Sequence, residues 1–133
     1  VPFLFQWPGK VPAGKTYDRP VLSTDIFATI HAAAGAPKPQ GKYIESYDLL
    51  PYLTGEYKED PHEWLYWRQS HKAAFRVGDM KIVRQTPKKW ELYDLAKDPS
   101  ETKDLVKEKP EEFKLLIEGW EKINGHMVEP LFK

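Results

Sequence analysis

Four histidines, His31, His62, His71 and His126, are the side chains best suited to proton transfer or metal ligation, and they are scattered along the chain. None forms a His-x-His or His-x-x-x-His pair, the spacings that turn two imidazoles toward one ion. Their ordinary reading is structural, with His31 on a helix and His126 in a tail. The adjacent acids Glu59-Asp60 and Glu111-Glu112 suit solvated loop or helix-start charges better than a metal cluster. Ser23, Ser46, Ser70 and Ser100 lack a nucleophile-elbow context, and no glycine-rich phosphate loop is present. The absence of cysteine excludes disulfides, thiolate metal sites and Cys nucleophiles. These residues make up no complete catalytic constellation and no metal site.

Charge is unevenly spread. From Tyr66 to Lys89 the cations Arg68, Lys72, Arg76, Lys81, Arg84, Lys88 and Lys89 face Asp79 alone, while Asp94 to Lys133 is net acidic. Forked guanidinium groups suit sulfate, phosphate or carboxylate, so the basic stretch is a candidate for an anionic ligand. The competing reading is ordinary surface charge, partly paired with the acidic tail. Trp64, Tyr66, Trp67 and Trp90 have the faces to stack on sugars, but alternating aromatics more often hold a small sheet together.

The elements that must carry these residues follow from pattern. Residues 3–7, Phe-Leu-Phe-Gln-Trp, read as a short apolar strand, and the Pro- and Gly-rich run to Gly14 reads as loop. Ser23 or Thr24 is a candidate cap for a helix with Asp25 at its positive end. Ile26, Phe27, Ile30, Ala33 and Ala34 follow at helical spacing, and Gly35 ends the run. Pro37 to Gly41 is a linker, and Asp48 to Leu53 a short helical turn stopped by Thr54-Gly55.

Beyond residue 63 the period changes to two. Strand-like runs at 64–68, 73–77, 80–84 and 90–95, with Gly78-Asp79 as a hairpin turn, predict a four-stranded antiparallel meander. Asp98-Pro-Ser-Glu101 has the form of a capping box with proline at the first helical position. Pro110 opens a longer helix whose stripe of Phe113, Leu116, Ile117, Trp120 and Ile123 must dock on the sheet. The fold class predicted is α+β, a small antiparallel sheet packed by a C-terminal helix.

The chain has 133 residues, with 20 basic and 20 acidic side chains, so it lacks the basic excess of a nucleic-acid or polybasic membrane binder. No apolar run approaches the ~20 residues of a membrane helix. A mean hydropathy of −0.64 is polar, yet five Trp, seven Tyr and six Phe are too many for a disordered chain. A first residue of Val running straight into an apolar strand suggests a piece of something longer.

Val1-Pro-Phe-Leu-Phe-Gln-Trp-Pro-Gly-Lys-Val-Pro-Ala-Gly14, Ser23-Thr-Asp-Ile-Phe27 with Thr29, and Ala33-Ala-Gly35 open a series of blocks. Asp48-Leu-Leu-Pro-Tyr-Leu-Thr-Gly55, Leu65-Tyr-Trp-Arg68, Arg76-Val-Gly-Asp-Met-Lys-Ile-Val83 and Glu91-Leu-Tyr-Asp-Leu-Ala-Lys-Asp-Pro-Ser-Glu-Thr102 continue it. In order and across the whole chain, these blocks resemble the C-terminal third of a type I, formylglycine-dependent sulfatase. The nearest group is the arylsulfatase and N-acetylgalactosamine-6-sulfatase-like one. Glu45-Ser46 departs from it where the family usually has Asp-Gly, which implies an altered turn.

The resemblance implies that residues 1–44 end a large alkaline-phosphatase-like α/β domain and that residues 45–133 form the C-terminal subdomain. It implies hydrolysis of sulfate esters of sugars or aryl sulfates, in the periplasm or outside the cell. The full enzyme would use a formylglycine made from Cys or Ser in a Cys/Ser-x-Pro-x-Arg motif, with a calcium ion held by Asp and Asn. This chain has neither form of that motif, so catalytic and cofactor residues are placed upstream and none here. What the family puts here is pocket rim, for which the turn Arg68-Gln-Ser-His-Lys72 and the loop Gln85-Thr-Pro-Lys-Lys89 are the candidates, no residue being carried over by motif. Arg68 and His71 are the candidate substrate-binding residues, chosen by position and charge. The expected partners are the upstream catalytic domain and a sulfated carbohydrate or aryl sulfate, with neither nucleic acid nor membrane. Cut free, the apolar residues of 1–35 are expected to drive self-association. Two other readings stay open, a free-standing carbohydrate- or anion-binding module and a purely structural subdomain.

Overall fold

The computed structural model describes residues 3–36 and 45–128. They fall into two compact units, divided between His62 and Glu63.

The first unit holds two helices, α1 (Asp25–Ala33) and α2 (Leu50–Thr54). Residues 3–7 form no strand: they run irregularly, with Phe3, Leu4 and Phe5 exposed. A strand exists only where a neighbouring strand takes up its backbone groups, and among the described residues none pairs with 3–7; the Trp7 carbonyl instead accepts the Lys10 and Val11 N–H groups of the turn that follows. Helix α1 forms where its spacing predicts, but its buried side chains are Asp25 and Thr29, and Ile26, Phe27 and Ile30 face outward. The linker predicted at 37–41 lies outside the described residues.

Residues 45–62 belong by contact to this unit, whereas the sequence placed everything after 44 with the sheet. Backbone bonding decides it. The Ser46 hydroxyl accepts from the Ala28 N–H at 3.1 Å and donates to the Thr24 carbonyl at 2.6 Å. Thr24, at the cap position itself, makes no side-chain cap. Ser46 thus bridges the Ala28 N–H and the Thr24 carbonyl in the first turn of α1 from another segment.

The second unit is the predicted meander, β1 (Leu65–Gln69), β2 (Lys72–Val77), β3 (Met80–Thr86) and β4 (Lys89–Asp94), in that spatial order and antiparallel throughout. The hairpin from β2 to β3 turns through Gly78 at φ 56, a left-handed conformation that glycine enters without a side-chain clash. Helix α3 (Pro110–Asn124) lies on one face. Ala73, Phe75, Ile82, Leu92, Leu116 and Trp120 form the core between them, flanked by Phe113, Ile117 and Ile123 as the stripe requires. Gly119 lets the helix approach closely, because a Cβ there would sit 2.8 Å from the Phe75 ring.

The predicted capping box at 98–101 caps no helix. Asp98 Oδ2 instead accepts from the N–H groups of Thr102 (2.7 Å) and Lys103 (2.8 Å), closing a turn in which Glu101 takes φ 55. Those bonds hold the Asp98 carboxyl below its ordinary range, the Lys103 N–H contributing most. A left-handed residue at the third helical position is incompatible with a helix. The chain then runs beside β4, where Leu105 N–H donates to the Leu92 carbonyl (2.8 Å) and the Asp104 carboxylate accepts from Leu92 N–H. This covers part of an edge that would otherwise stand open.

Candidate functional site

The two turns that carry the candidate rim residues, 70–71 between β1 and β2 and 87–88 between β3 and β4, lie at the same end of the meander. Arg68 and His71 sit at that end but take different roles. Arg68 turns to the helix face, where its guanidinium donates to Asn124 Oδ1 (2.7 Å) and to the Val128 carbonyl. Tyr66 donates to the same Asn124 oxygen at 2.8 Å. His71 is exposed, and its carbonyl accepts from Arg84 Nε at 2.8 Å. No hydrogen bond joins Arg68 to His71 among the described residues.

The basic stretch is largely spent on internal partners. Arg76 donates to the Gly78 carbonyl, Lys81 pairs with Glu101, and Lys89 pairs with Glu91 at 2.6 Å. The Arg84 guanidinium lies 4.9 Å from the Trp90 ring and 5.0 Å from the Trp120 ring, a cation held by two aromatic faces. Lys72 and Lys88 are the two of the seven cations with no ion pair or hydrogen bond among the described residues. Trp64, Tyr66 and Trp90 pack against the core, while Trp67 faces away from it and is 41% exposed.

In the first unit a buried polar cluster stands where spacing points to none. Asp25 is fully buried, and His62, 8% exposed, brings Nε2 to 2.7 Å from Asp25 Oδ2. A carboxylate only accepts, so Nε2 carries the hydrogen. Asp25 also accepts the N–H of Leu22 (2.7 Å) and of Tyr47 (2.9 Å), and the Tyr47 ring meets His62 edge-on at 4.8 Å. Thr29 continues the cluster, donating to the Asp25 carbonyl and accepting from Leu49 N–H. Burial pushes the Asp25 carboxyl up, but the His62 bond and the two backbone donors outweigh it and hold the group below its ordinary value. The arrangement fastens three segments to one carboxylate. Its members lie 37 residues apart, and the one local signal is an acid at a helix start following Ser-Thr.

Among the described residues no three His, Asp or Glu side chains gather as metal ligands, and no helix is long and apolar enough to cross a membrane.

Residues 1–127 match the family described as N-sulphoglucosamine sulphohydrolase, C-terminal. The chain belongs to this family. Among curated relatives, human steryl-sulfatase is 39% identical over 66 residues, half of this chain and 11% of the relative. Dog (Canis lupus familiaris) arylsulfatase H is 35% identical over 137 residues, 79% of this chain and 24% of the relative. In the solved structure of Ps i-CgsB the likeness covers 95% of this chain and 29% of that one, with a TM-score of 0.80 at 25% identity. The same protein has been solved in complex with k-i-k-neocarrahexaose. The chain thus spans about a tenth to a quarter of the curated relatives' length, and it is a sulfatase C-terminal domain of α+β architecture.

Proposed function

We propose that this domain serves a sulfatase that hydrolyses sulfate esters of sugars or aryl sulfates, completing that enzyme's fold and lining the rim of its substrate pocket. The family match over residues 1–127 carries the reading. The formylglycine nucleophile and the calcium ion belong to the rest of such an enzyme, which would supply the attack on sulfur. This chain's part is positional. The turn at 70–71 presents His71 and Lys72 to solvent, and Arg68 anchors that strand end to the close of α3 through Asn124. Arg68 then acts by holding the rim, and His71 is the group free to meet an anionic substrate. A periplasmic or secreted location goes with this reading.

The test is an aryl sulfate assay on two proteins. The 133-residue chain should release no phenol above a buffer blank, and the full sulfatase that carries it should. Hydrolysis by the short chain alone, or none by the full protein, contradicts the reading.

A further inference from the structure

The face of the sheet opposite α3 bears an open hollow of about 390 Å³. Its construction follows from register. Trp67, Ala74 and Val83 are directly paired across β1, β2 and β3, so the indole of the edge strand stands beside two small neighbours. Ala74 and Val83 make an apolar floor, and the exposed Trp67 ring rises at its border. On one side lie Gln69, Lys72 and Gln85, and on the other the Lys81–Glu101 ion pair.

Three features mark this as more than a bare sheet face. The Gln69 and Gln85 amides, the Lys72 ammonium and the Trp67 indole N–H have no hydrogen-bond partner among the described residues. Among the described residues Trp67 makes no ring contact, unlike Trp64, Trp90 and Trp120, and it lies outside the core cluster. Lys81 is neutralised by Glu101, whereas Lys72 has no ion pair among the described residues, and Arg68 and Arg84, which also line the hollow, bond only neutral oxygens. An apolar platform with an aromatic border, ringed by amides and cations, is complementary to a sugar ring that carries an anionic substituent.

We propose that this hollow is an accessory binding site for one sulfated sugar unit of an oligosaccharide. Trp67 stacks on the ring, Gln69 and Gln85 bond its hydroxyls, and Lys72 meets the sulfate. The choice of sulfate rests on the sulfatase reading above; the site itself rests on the sheet face.

Titration calorimetry of the 133-residue chain with a sulfated tetrasaccharide, and with the same tetrasaccharide chemically desulfated, tests it without any turnover. Trp67→Ala should weaken both by about tenfold, and Trp67→Phe, which keeps a ring, should recover most of the loss. Lys72→Gln should weaken the sulfated ligand alone, by about threefold at low salt, and remove its salt dependence. Both positions are exposed, so melting temperatures should stay near the parent's. Absence of binding, affinities untouched by Trp67→Ala, or competition by inorganic sulfate that ignores Trp67 would each overturn the site. So would a full-length enzyme in which Trp67→Ala destabilises the protein and the hollow takes no sugar, since the face would then dock the rest of the chain. Failure of the aryl sulfate assay with calorimetry intact would remove the sulfatase reading and leave the sugar site standing.

Discussion

In residues 3–36 and 45–62 the best-buried side chain is a carboxylate, Asp25; in residues 63–128 the best-buried are Ile82 and Leu92. The first unit gathers its segments around hydrogen bonds to one charge, and its apolar side chains Ile26, Phe27 and Ile30 remain outside. The second buries an apolar stripe against a sheet, and its one buried charge among the described residues, Asp94, lies outside that apolar cluster. The difference shows what each can tolerate. An apolar core loses stability in proportion to the area and volume removed, whereas a buried ionic hub fails when any partner leaves the charge uncompensated.

The sharpest test of the apolar side of this comparison is Trp120→Ala. Its ring stacks on Tyr66, meets Trp90 edge-on at 5.1 Å and supports the Arg84 guanidinium. Emptying that volume should cost about 3–5 kcal/mol, read by urea denaturation, which is a large share of the total for a small domain. A change below about 1 kcal/mol would mean that α3 is not docked through this ring.

The same comparison explains what was legible beforehand. The meander and the docked face of α3 follow from alternation at 64–95 and from the 3.6-residue stripe of Phe113, Leu116, Ile117, Trp120 and Ile123. The Asp25–His62 pair was not readable, because periodicity reports apolar faces and a lone buried acid leaves no period. The contact of segment 45–62 with α1 was not readable for the same reason: polar bonds to α1 hold it. The strand expected at 3–7 depended on a pairing partner, which local composition does not supply. At 98–101 the motif was genuine turn chemistry, and Glu101 in a left-handed conformation turned it away from a helix. The candidate rim residues Arg68 and His71 lie at one end of the meander, where side-chain direction separates them: Arg68 is bound inward and His71 is exposed.

For the polar side, Asp25→Ala should cost about 3 kcal/mol, because it orphans His62 and the N–H groups of Leu22 and Tyr47 together. Hydrogen exchange at the Leu22 and Tyr47 amides should rise with it. If those amides keep their protection, the hub is not what orders this unit. The pH dependence sharpens the point. The folded Asp25 carboxyl lies below its ordinary value, so its contribution is fully present above the unfolded value of ~3.9 and is lost as pH falls through the depressed one. Stability should therefore decline on acidification below about pH 4–5, and Asp25→Asn should flatten that decline. An Asn variant with an unchanged slope would assign the acid sensitivity to other carboxylates.

A smaller effect is expected where the second unit is tightest. Gly119→Ala places a methyl group against the Phe75 ring, at a distance real side chains do not adopt, so helix or ring must shift. Overpacking of this kind costs about 1–3 kcal/mol. Pairing it with Phe75→Leu should recover part of the loss, since the clash is with the ring edge. A double-mutant cycle with no coupling would place the strain elsewhere.

The smallest effect on stability is expected at the outward apolar residues of the first unit. Leu4 is 95% exposed, and Ile30 lies on the face of α1 turned away from Asp25 and Thr29. Neither side chain gives up much buried area when made polar, so Leu4→Ser and Ile30→Ser should each change the free energy of unfolding by no more than about 0.5 kcal/mol. Their effect should appear instead in association. Phe3, Leu4, Phe5, Ile26, Phe27 and Ile30 put more apolar surface in water than scattered single residues do, and such surface promotes self-contact. Light scattering across a concentration series should show the parent chain associating and the double variant shifted toward monomer. A double variant that unfolds more easily by over about 1 kcal/mol would show that these side chains pack within their own unit, and the contrast between a polar hub with an apolar exterior and an apolar core with a polar exterior would no longer hold.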